Sequence, residues 1–270
     1  MLTPPECRFL LLKVDGSRLD MTFNRPDQRN AINVQMGKEI TSVVSWLAAH
    51  ADDIRLLVLR GAGGHFCAGG DIKERRIQAE VSTGDGEHPV FARNRDAGLG
   101  FLMFERLPQT TIAVVEGSAF GGGMGYACLA DITVLSATAR MGLPETTLGV
   151  APAQIAPYLV KRIGLTRARQ LALTGERFDG ATAYRYGVGQ YLAEPDALEA
   201  TLEEVVSRVM RCGPKANAVA KQIMLNVGTL SDEELVVMAA ELFVELNSSG
   251  EGKEGQAAFA EKRKPAWQID

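Results

Sequence analysis

The sequence predicts an α/β fold built from repeated β-β-α units and followed by a C-terminal helical segment. Apolar, β-branched runs alternate with amphipathic helical patterns along most of the chain, an alternation that favours stacked β-β-α units. Two of the strand patterns end in glycine-rich turns, and the pattern is helical from Pro195 onward. We therefore expect a core over residues 1–195 and a helical segment over residues 196–270.

The N-terminal elements follow from hydrophobic periodicity. Residues 9–14 and 18–23 are short apolar or alternating runs separated by Asp15-Gly16, which predicts a β-hairpin. Apolar residues fall on one stripe over residues 34–49, which predicts a helix. The apolar run 54–59 then predicts a buried strand.

The alternation continues through the middle of the chain. We expect a helix over residues 94–106, a strand over 111–116, a short buried helix over 123–130 and a strand over 132–135. The polar, glycine-containing stretch 77–89 predicts a surface loop with a possible role as a lid. Three more helices are expected in the C-terminal segment, over residues 198–209, 214–227 and 232–247.

Composition excludes several classes of protein. The 270 residues carry a formal net charge of −4 with the basic residues dispersed, which argues against nucleic acid and favours a small-molecule partner. The four cysteines lack Cys-x-x-Cys spacing and are expected to be reduced thiols. The three histidines have no metal-ligand spacing, so no metal is expected. With no apolar leader and no apolar run of about 18 residues, we expect no membrane span and a cytoplasmic location.

The two glycine-rich turns are the strongest functional signal. One follows the strand pattern 54–59 and extends to Asp71, and the other covers residues 116–125. Two such turns in one domain can aim two backbone N–H groups at one oxygen, which stabilises an oxyanion. Neither turn has the form of a dinucleotide or nucleotide loop, and Gly-x-Ser-x-Gly is absent, which argues against a serine hydrolase. Glycine in a tight turn is also common for conformational reasons alone.

At these residues the chain resembles the crotonase superfamily, the enoyl-CoA hydratase/isomerase family. The matching segments occur in the family's order and span nearly the whole chain: Phe23 to Pro26 with Arg29 to Asn33, Phe66 to Ile72, Gly121 to Gly123 with Asp131, Met141 to Glu145 with Leu148-Gly149, and Ala258 to Pro265. No internal repeat is visible in the sequence. The expected spiral of repeated ββα units is therefore implied by the resemblance and not by a sequence repeat. The resemblance also implies that the C-terminal helices pack between subunits of a homotrimer or a dimer of trimers.

The resemblance assigns candidate catalytic residues. Gly70 and Gly122 occupy the positions whose N–H groups form the oxyanion hole for the thioester carbonyl, and Glu145 occupies the position of a catalytic glutamate. A partly desolvated carboxylate there is suited to proton exchange near neutral pH. A glutamate after Pro144 is also favourable at a helix start, so only the resemblance selects it for catalysis.

The resemblance also assigns the binding of coenzyme A. No cofactor is expected beyond the CoA moiety of an acyl-CoA thioester substrate. The positions that match CoA-contacting residues of the family are Gln28, Arg29, Ala68, Ile72, Phe259 and Lys262.

One departure from the family pattern bears on the reaction. Hydratases with two catalytic glutamates carry the second one at the position of Gly125, which favours a Δ3,Δ2-enoyl-CoA isomerase. Residues 148–158, however, resemble the branch that hydrates glutaconyl-type thioesters, whose members also tend to have glycine there. We therefore expect a hydratase of a branched, carboxylated enoyl-CoA, of the methylglutaconyl-CoA or isohexenylglutaconyl-CoA type, acting in leucine or terpene breakdown. Isomerase activity is the alternative, and a non-catalytic acyl-CoA-binding protein is a lesser one.

Two smaller expectations concern the acyl group. Glycine at position 125 would leave room for a branch near C3. Gln154 or Tyr158 would meet the second carboxylate of the substrate.

Overall fold

The computed structural model describes residues 2–74 and 88–268. Nine strands occur in this part of the chain: β1 Leu10–Asp15, β2 Arg18–Phe23, β3 Leu56–Gly61, β4 Thr110–Val115, β5 Ser118–Phe120, β6 Ile132–Ser136, β7 Arg140–Gly142, β8 Arg177–Asp179 and β9 Tyr191–Ala193. The same residues form nine α-helices: α1 Val34–Ala49, α2 Pro89–Glu105, α3 Gly122–Leu129, α4 Ala156–Thr174, α5 Gly180–Tyr186, α6 Leu198–Met210, α7 Pro214–Leu225, α8 Asp232–Ser248 and α9 Gly250–Ala260. The fold is α/β, as the sequence predicts.

The strands form two sheets. The larger has six strands in the order β1-β2-β3-β4-β6-β9, and the smaller has three in the order β5-β7-β8. The expected hairpin is confirmed, since β1 pairs antiparallel with β2 and Leu10 lies opposite Phe23. From β2 to β9 all neighbours in the larger sheet are parallel. The carboxyl ends of β3 and β4 therefore lie at the same edge, where the two glycine-rich turns begin.

The central strands β3, β4 and β6 are buried on both faces, which explains their continuous apolar runs. Along β3, Leu57 and Leu59 belong to the main core cluster, whereas Leu56 and Val58 belong to a second cluster. This alternation follows the two-residue period of a strand. The second cluster is completed by α6, so this helix is part of the core although it lies in the C-terminal segment.

Several helices begin at side-chain caps. The Asn33 side chain accepts a hydrogen bond from Met36 N–H at the start of α1. Ser231 and Glu234 form a reciprocal capping box at the start of α8. Helix α2 begins at Pro89, with His88 as the cap, five residues before the predicted start. Residues 77–87 of the predicted loop 77–89 lie outside the described residues.

The last three helices leave much apolar surface uncovered. Helices α7 and α8 contain no buried residue, although Lys221 on α7 donates to Asp131 on the core at 2.8 Å. Large apolar side chains on these helices and on α9 are more than half exposed: Met224, Val236, Val237, Phe243, Val244 and Phe259. Nowhere in residues 2–74 and 88–268 is a helix both long and apolar enough to cross a membrane.

Candidate active site

The two glycine-rich turns lie side by side. Cys67 N–H donates to Ser118 O at 2.8 Å, and Phe120 N–H donates to Cys67 O at 2.9 Å. These bonds hold the turn after β3 against β5, the short strand that leads into the second turn. Two segments that are about 50 residues apart in sequence therefore form one surface of backbone groups.

Glycine is required at the closest point of this contact. Gly69 has φ +93°, and a Cβ there would lie 2.8 Å from Phe120 O. Gly121 has φ +52°, and a Cβ there would lie 2.7 Å from Glu145 Oε1. A side chain at either position would add backbone strain to a steric clash. The conformational need for glycine and a role in a site are thus compatible here.

Gly70 and Gly122 follow these two strained positions directly. A Cβ on Gly122 would lie 3.9 Å from Gly69 Cα, so the two turns are in near contact. Within residues 2–74 and 88–268, neither the Gly70 nor the Gly122 N–H donates a hydrogen bond. Gly122 is the first residue of α3, where a backbone N–H has no acceptor inside the helix. Two backbone donors in neighbouring turns are candidates for an oxyanion hole.

Glu145 lies beside the second glycine-rich turn. It lies in a 3-10 turn, Pro144–Leu148, that follows β7 and ends at Gly149 with φ +73°. The Thr146 hydroxyl anchors this turn by donating to Ala172 O on α4 at 2.8 Å. The Glu145 Oε2 atom is shielded from solvent, and Oε1 points at Gly121. The Glu145 carboxylate therefore lies next to the point where the two glycine-rich turns approach each other.

The space beside Gly125 is filled. A Cβ on Gly125 would lie 3.3 Å from the Phe101 ring and 3.4 Å from Ile155. Phe101 is 6% exposed, and its ring meets those of Tyr126 and Tyr158 edge-on. The expectation that Gly125 leaves room for a substrate branch is therefore wrong, because the Phe101 side chain from α2 occupies the space beside Gly125.

Gln154 and Tyr158 have other neighbours. Gln154 Nε2 donates to Asn94 Oδ1 at 2.7 Å. The Tyr158 ring has Lys161 Nζ 5.3 Å from its centroid, and burial, followed by the nearby Glu105 carboxylate, raises the pKa of its hydroxyl. These partners lie on α2 and α4, so the suggested role of Gln154 and Tyr158 in carboxylate binding stays a prediction.

The predicted CoA-contacting residues fall into two groups. The first group lies near the first glycine turn and consists of Gln28, Arg29, Ala68 and Ile72. In this group Ala68 N–H donates to Arg29 O at 2.9 Å, and Ile72 is 60% exposed. Phe259, 87% exposed, and Lys262, with φ +55°, lie at the end of the last helix. No hydrogen bond or ion pair joins the two groups within the described chain.

Two polar residues, Asn30 and His65, support the turns, although neither is among the candidate site residues predicted from the sequence. The fully buried Asn30 accepts from Arg25 N–H at 2.8 Å and donates to Ala62 O and His65 O. His65 Nδ1 accepts from Ser118 N–H at 3.2 Å, so its ring links the two turns. Asn30 lies within the first family motif, which was the available signal for it.

The residue after Gly70 is also held firmly. Asp71 accepts from the Arg25 guanidinium at 3.1 Å and from Lys73 N–H at 3.1 Å. Burial alone would raise the pKa of Asp71, but these hydrogen bonds and that from Glu74 N–H outweigh it and lower the pKa. Asp71 is therefore a charged anchor for the Gly70 turn.

The cysteines are free thiols, as expected. Burial raises the pKa of Cys67 to about 12 and that of Cys128 to about 12. A thiol with such a pKa is protonated near neutral pH and is a poor nucleophile. The proximity of Cys67 to the site therefore does not indicate cysteine chemistry.

Comparison with known proteins agrees with this geometry. A family model described as enoyl-CoA hydratase/isomerase matches residues 15–269, and the chain belongs to that family. The solved structure of Pseudomonas aeruginosa AtuE is similar, with a TM-score of 0.92 and 43% identity over 97% of this chain and 100% of AtuE. Mevalonyl-coenzyme A hydratase sidH of Aspergillus fumigatus is 31% identical over 92% of this chain and 90% of its own length. Trans-2-decenoyl-[acyl-carrier-protein] isomerase of Streptococcus mutans is 29% identical over 95% of this chain and 96% of its own length.

Proposed function

We propose that the protein adds water across the α,β double bond of a branched, carboxylated enoyl-CoA, of the methylglutaconyl-CoA or isohexenylglutaconyl-CoA type. The observation that carries this proposal is the position of Glu145, whose Oε1 lies 2.7 Å from the place of a Gly121 Cβ. This position beside the second glycine-rich turn supports a role for Glu145 in exchanging protons next to the two N–H donors. Hydration needs both elements in one place.

The thioester carbonyl oxygen accepts hydrogen bonds from the Gly70 and Gly122 N–H groups. Water attacks C3 while Glu145 takes one of its protons, and the electron pair of the double bond moves toward the carbonyl oxygen. The resulting enolate is stabilised by the two donors, each of which typically contributes about 3 kcal/mol. Glu145 then returns a proton to C2, so one carboxylate serves both steps and is regenerated.

Support for hydration of a branched substrate comes from a relative. The Aspergillus fumigatus protein is named a mevalonyl-coenzyme A hydratase and is 31% identical to this chain. The absence of a second carboxylate at Gly125 limits the reaction to what Glu145 alone can do. Phe101 beside Gly125 adds an apolar wall that excludes stray water from C2 and C3.

The alternative function is isomerisation of an enoyl thioester. It uses the same donors and the same carboxylate, but Glu145 moves a proton between two carbons without water. The Streptococcus mutans relative, named an isomerase, favours this reading. A non-catalytic acyl-CoA-binding protein is a lesser alternative, since binding alone needs no acid-base carboxylate opposite an oxyanion hole.

The remaining parts of the proposal concern CoA and assembly. The CoA moiety is the only cofactor-like group, and it contacts Gln28, Arg29, Ala68, Ile72, Phe259 and Lys262. The exposed apolar side chains of α7 to α9 are covered by neighbouring subunits in a homotrimer or a dimer of trimers. This arrangement brings Phe259 and Lys262 of one subunit to the CoA of another, in a cytoplasmic enzyme.

Reaction in ¹⁸O-labelled water separates hydration from isomerisation. With 3-methylglutaconyl-CoA, a hydratase gives a product that is heavier by one water and contains one heavy oxygen. An isomerase shifts a double bond with no change in mass. Isomerisation without water addition on every branched or carboxylated ester would reject the proposed function.

A further inference from the structure

We infer that His65 is a positioning residue whose imidazole ring fixes the spacing of the Gly70 and Gly122 N–H donors. This inference rests on the proposed function, in which these two groups hold the thioester carbonyl. The ring acts through the backbone and has no contact with the substrate to make. The observation that carries the inference is the hydrogen bond that the ring accepts at the start of β5.

The hydrogen-bond ladder between the two glycine-rich turns is irregular at Gly117. In a regular parallel pair, the donors that bond to one neighbouring strand are evenly spaced, two residues apart. Here Phe66 N–H donates to Glu116 O at 2.9 Å. The very next residue, Cys67, donates through its N–H to Ser118 O at 2.8 Å. Gly117 is therefore an extra residue on its side of the ladder, a bulge, and its φ is +56°.

The His65 ring supplies the acceptor that this bulge removes. Ser118 is only 7% exposed, so its N–H needs an acceptor within the protein. The backbone oxygen of His65 accepts from Asn30 Nδ2 at 2.6 Å, whereas His65 Nδ1 accepts from Ser118 N–H at 3.2 Å. Because a backbone N–H only donates, Nδ1 is the unprotonated nitrogen, and Nε2 carries the proton of the neutral ring. A side-chain nitrogen thus takes the place of a ladder carbonyl.

The ring packs directly against the bulge. A Cβ on Gly117 would lie 2.7 Å from His65 Nδ1 and 1.9 Å from Gly64 O. This separation leaves no room for a water molecule between the ring and the backbone of Gly117. The position of the ring therefore determines how far the start of β5 lies from the first turn.

The same short strand leads to the proposed donors. Strand β5 has only three residues, and Cys67 pairs with its middle residue, Ala119. Beyond its end the two turns are in near contact, since a Cβ on Gly122 would lie 3.9 Å from Gly69 Cα. A shift at the start of β5 therefore also shifts the Gly122 donor relative to the first turn. Displacements of about 1 Å in an active site can lower a rate about a hundredfold.

A matched pair of variants tests the acceptor. Asparagine and leucine have the same branched shape, but only asparagine carries an acceptor oxygen, as many bonds from Cβ as Nδ1 is. His65→Leu should lower kcat for the preferred enoyl-CoA about tenfold to hundredfold and change KM less than about threefold, because the donors act on charge that develops in the transition state. His65→Asn should keep kcat within about threefold of wild type.

His50 provides the control for loss of a histidine. Its Nδ1 atom lies 2.8 Å from Trp46 O at the C-terminal end of α1. His50→Leu should keep wild-type kinetics. Equal loss of kcat in His65→Leu and His65→Asn would overturn the inference, because it would show that the acceptor is not what matters.

An infrared measurement reports the two donors without any reaction. The saturated ester 3-methylglutaryl-CoA, labelled with ¹³C at the thioester carbonyl, has no double bond to hydrate. Binding to the wild-type protein should lower its carbonyl stretching frequency, binding to His65→Leu should lower it less, and His65→Asn should match wild type. No lowering in wild type, or the same lowering in all three proteins together with a loss of stability in His65→Leu, would overturn the positioning role.

The wild-type protein alone gives a further test, which covers poor folding of His65→Leu. The chain has three histidines, so selective ¹⁵N labelling resolves their ring nitrogens by nuclear magnetic resonance. His65 should show an unprotonated Nδ1 and a protonated Nε2, and a proton on Nδ1 would overturn the inference. Failure of water addition in the ¹⁸O experiment would instead reject the proposed reaction and leave the dependence of the carbonyl frequency on His65 standing.

Discussion

The two walls of the candidate site are built in different ways. The wall proposed to hold the thioester is made of backbone, with Gly69 and Gly121 at positive φ and in contacts that exclude a Cβ. The wall proposed to face the acyl group is made of side chains, chiefly Phe101 and Ile155 packed beside Gly125. The first wall depends on a conformation that glycine supplies, so substitution there is costly. The second depends on packing, which other side chains can adjust.

The largest effect is expected from the carboxylate that faces the backbone wall. Glu145→Gln preserves shape but cannot exchange a proton, so turnover of the preferred enoyl-CoA should fall about 10²- to 10⁴-fold. Binding of a saturated acyl-CoA should be retained. Steady-state kinetics and calorimetry measure the two quantities.

The exposed Glu194 provides the control for this substitution. Glu194→Gln should keep wild-type kinetics. Turnover of Glu145→Gln within about threefold of wild type would show that another group moves the proton.

The second largest effect on kcat is expected from a substitution in the backbone wall itself. A Cβ at Gly121 would lie 2.7 Å from Glu145 Oε1, so Gly121→Ala should displace the carboxylate and lower kcat about 100-fold. Gly16→Ala is the matched control, because Gly16 has φ +57° but nothing within 4 Å of its Cβ position. Both variants place alanine at a positive φ, but only Gly121→Ala adds a clash, so it should also lose more stability by thermal melting. If kcat also falls equally in both, contact with Glu145 is not the cause.

The contrast between the walls also explains how far the sequence could predict the site. Gly70, Gly122 and Glu145 belong to contiguous motifs, and the structure places the segments that carry them in contact. Phe101 could not be assigned to the site, because α2 buries only three residues and its position over Gly125 depends on tertiary packing. A contact between residues 24 positions apart leaves no local signal in one sequence.

The same reasoning applies to the fold. The long strands and the helices α1, α6 and α8 were predicted to within two residues at each end, because their periodicity is sustained. Strands β5, β7, β8 and β9 were missed, since three residues cannot display an alternating pattern. Helix α4 was also missed, because it buries only four residues and Gly164 interrupts it with φ +75°.

A third prediction concerns the side-chain wall. Gly125→Glu forces a carboxylate against Phe101 and Ile155, so it should destabilise the protein by about 1–3 kcal/mol and lower turnover of branched and straight-chain substrates. Adding Phe101→Ala should open space, so the double variant should lose less stability than the sum of the losses of the two single variants. Thermal melts and kinetics with crotonyl-CoA compare the single and double variants.

Phe101→Ala alone is the control for the lost aromatic packing. A single Gly125→Glu variant that gains crotonyl-CoA hydration without losing stability would mean that the Phe101 ring moves aside freely. The side-chain wall would then be open to a second carboxylate, contrary to the packing described.

The smallest effect concerns the anchor of the backbone wall, and it depends on pH. The pKa of Asp71 is lowered below its ordinary value of 3.8, so the folded state favours its charged form. Its contribution to stability is therefore present above about pH 4 and is lost as the pH falls through the lowered pKa. Asp71→Asn should reduce the free energy of unfolding by about 1–2 kcal/mol at pH 7, because the Arg25 pair is lost. Urea denaturation from pH 7 to pH 3 should show the difference from wild type shrinking as the solution becomes acidic. A difference that stays constant across this range would show that Asp71 anchors the Gly70 turn through its shape and not through its charge.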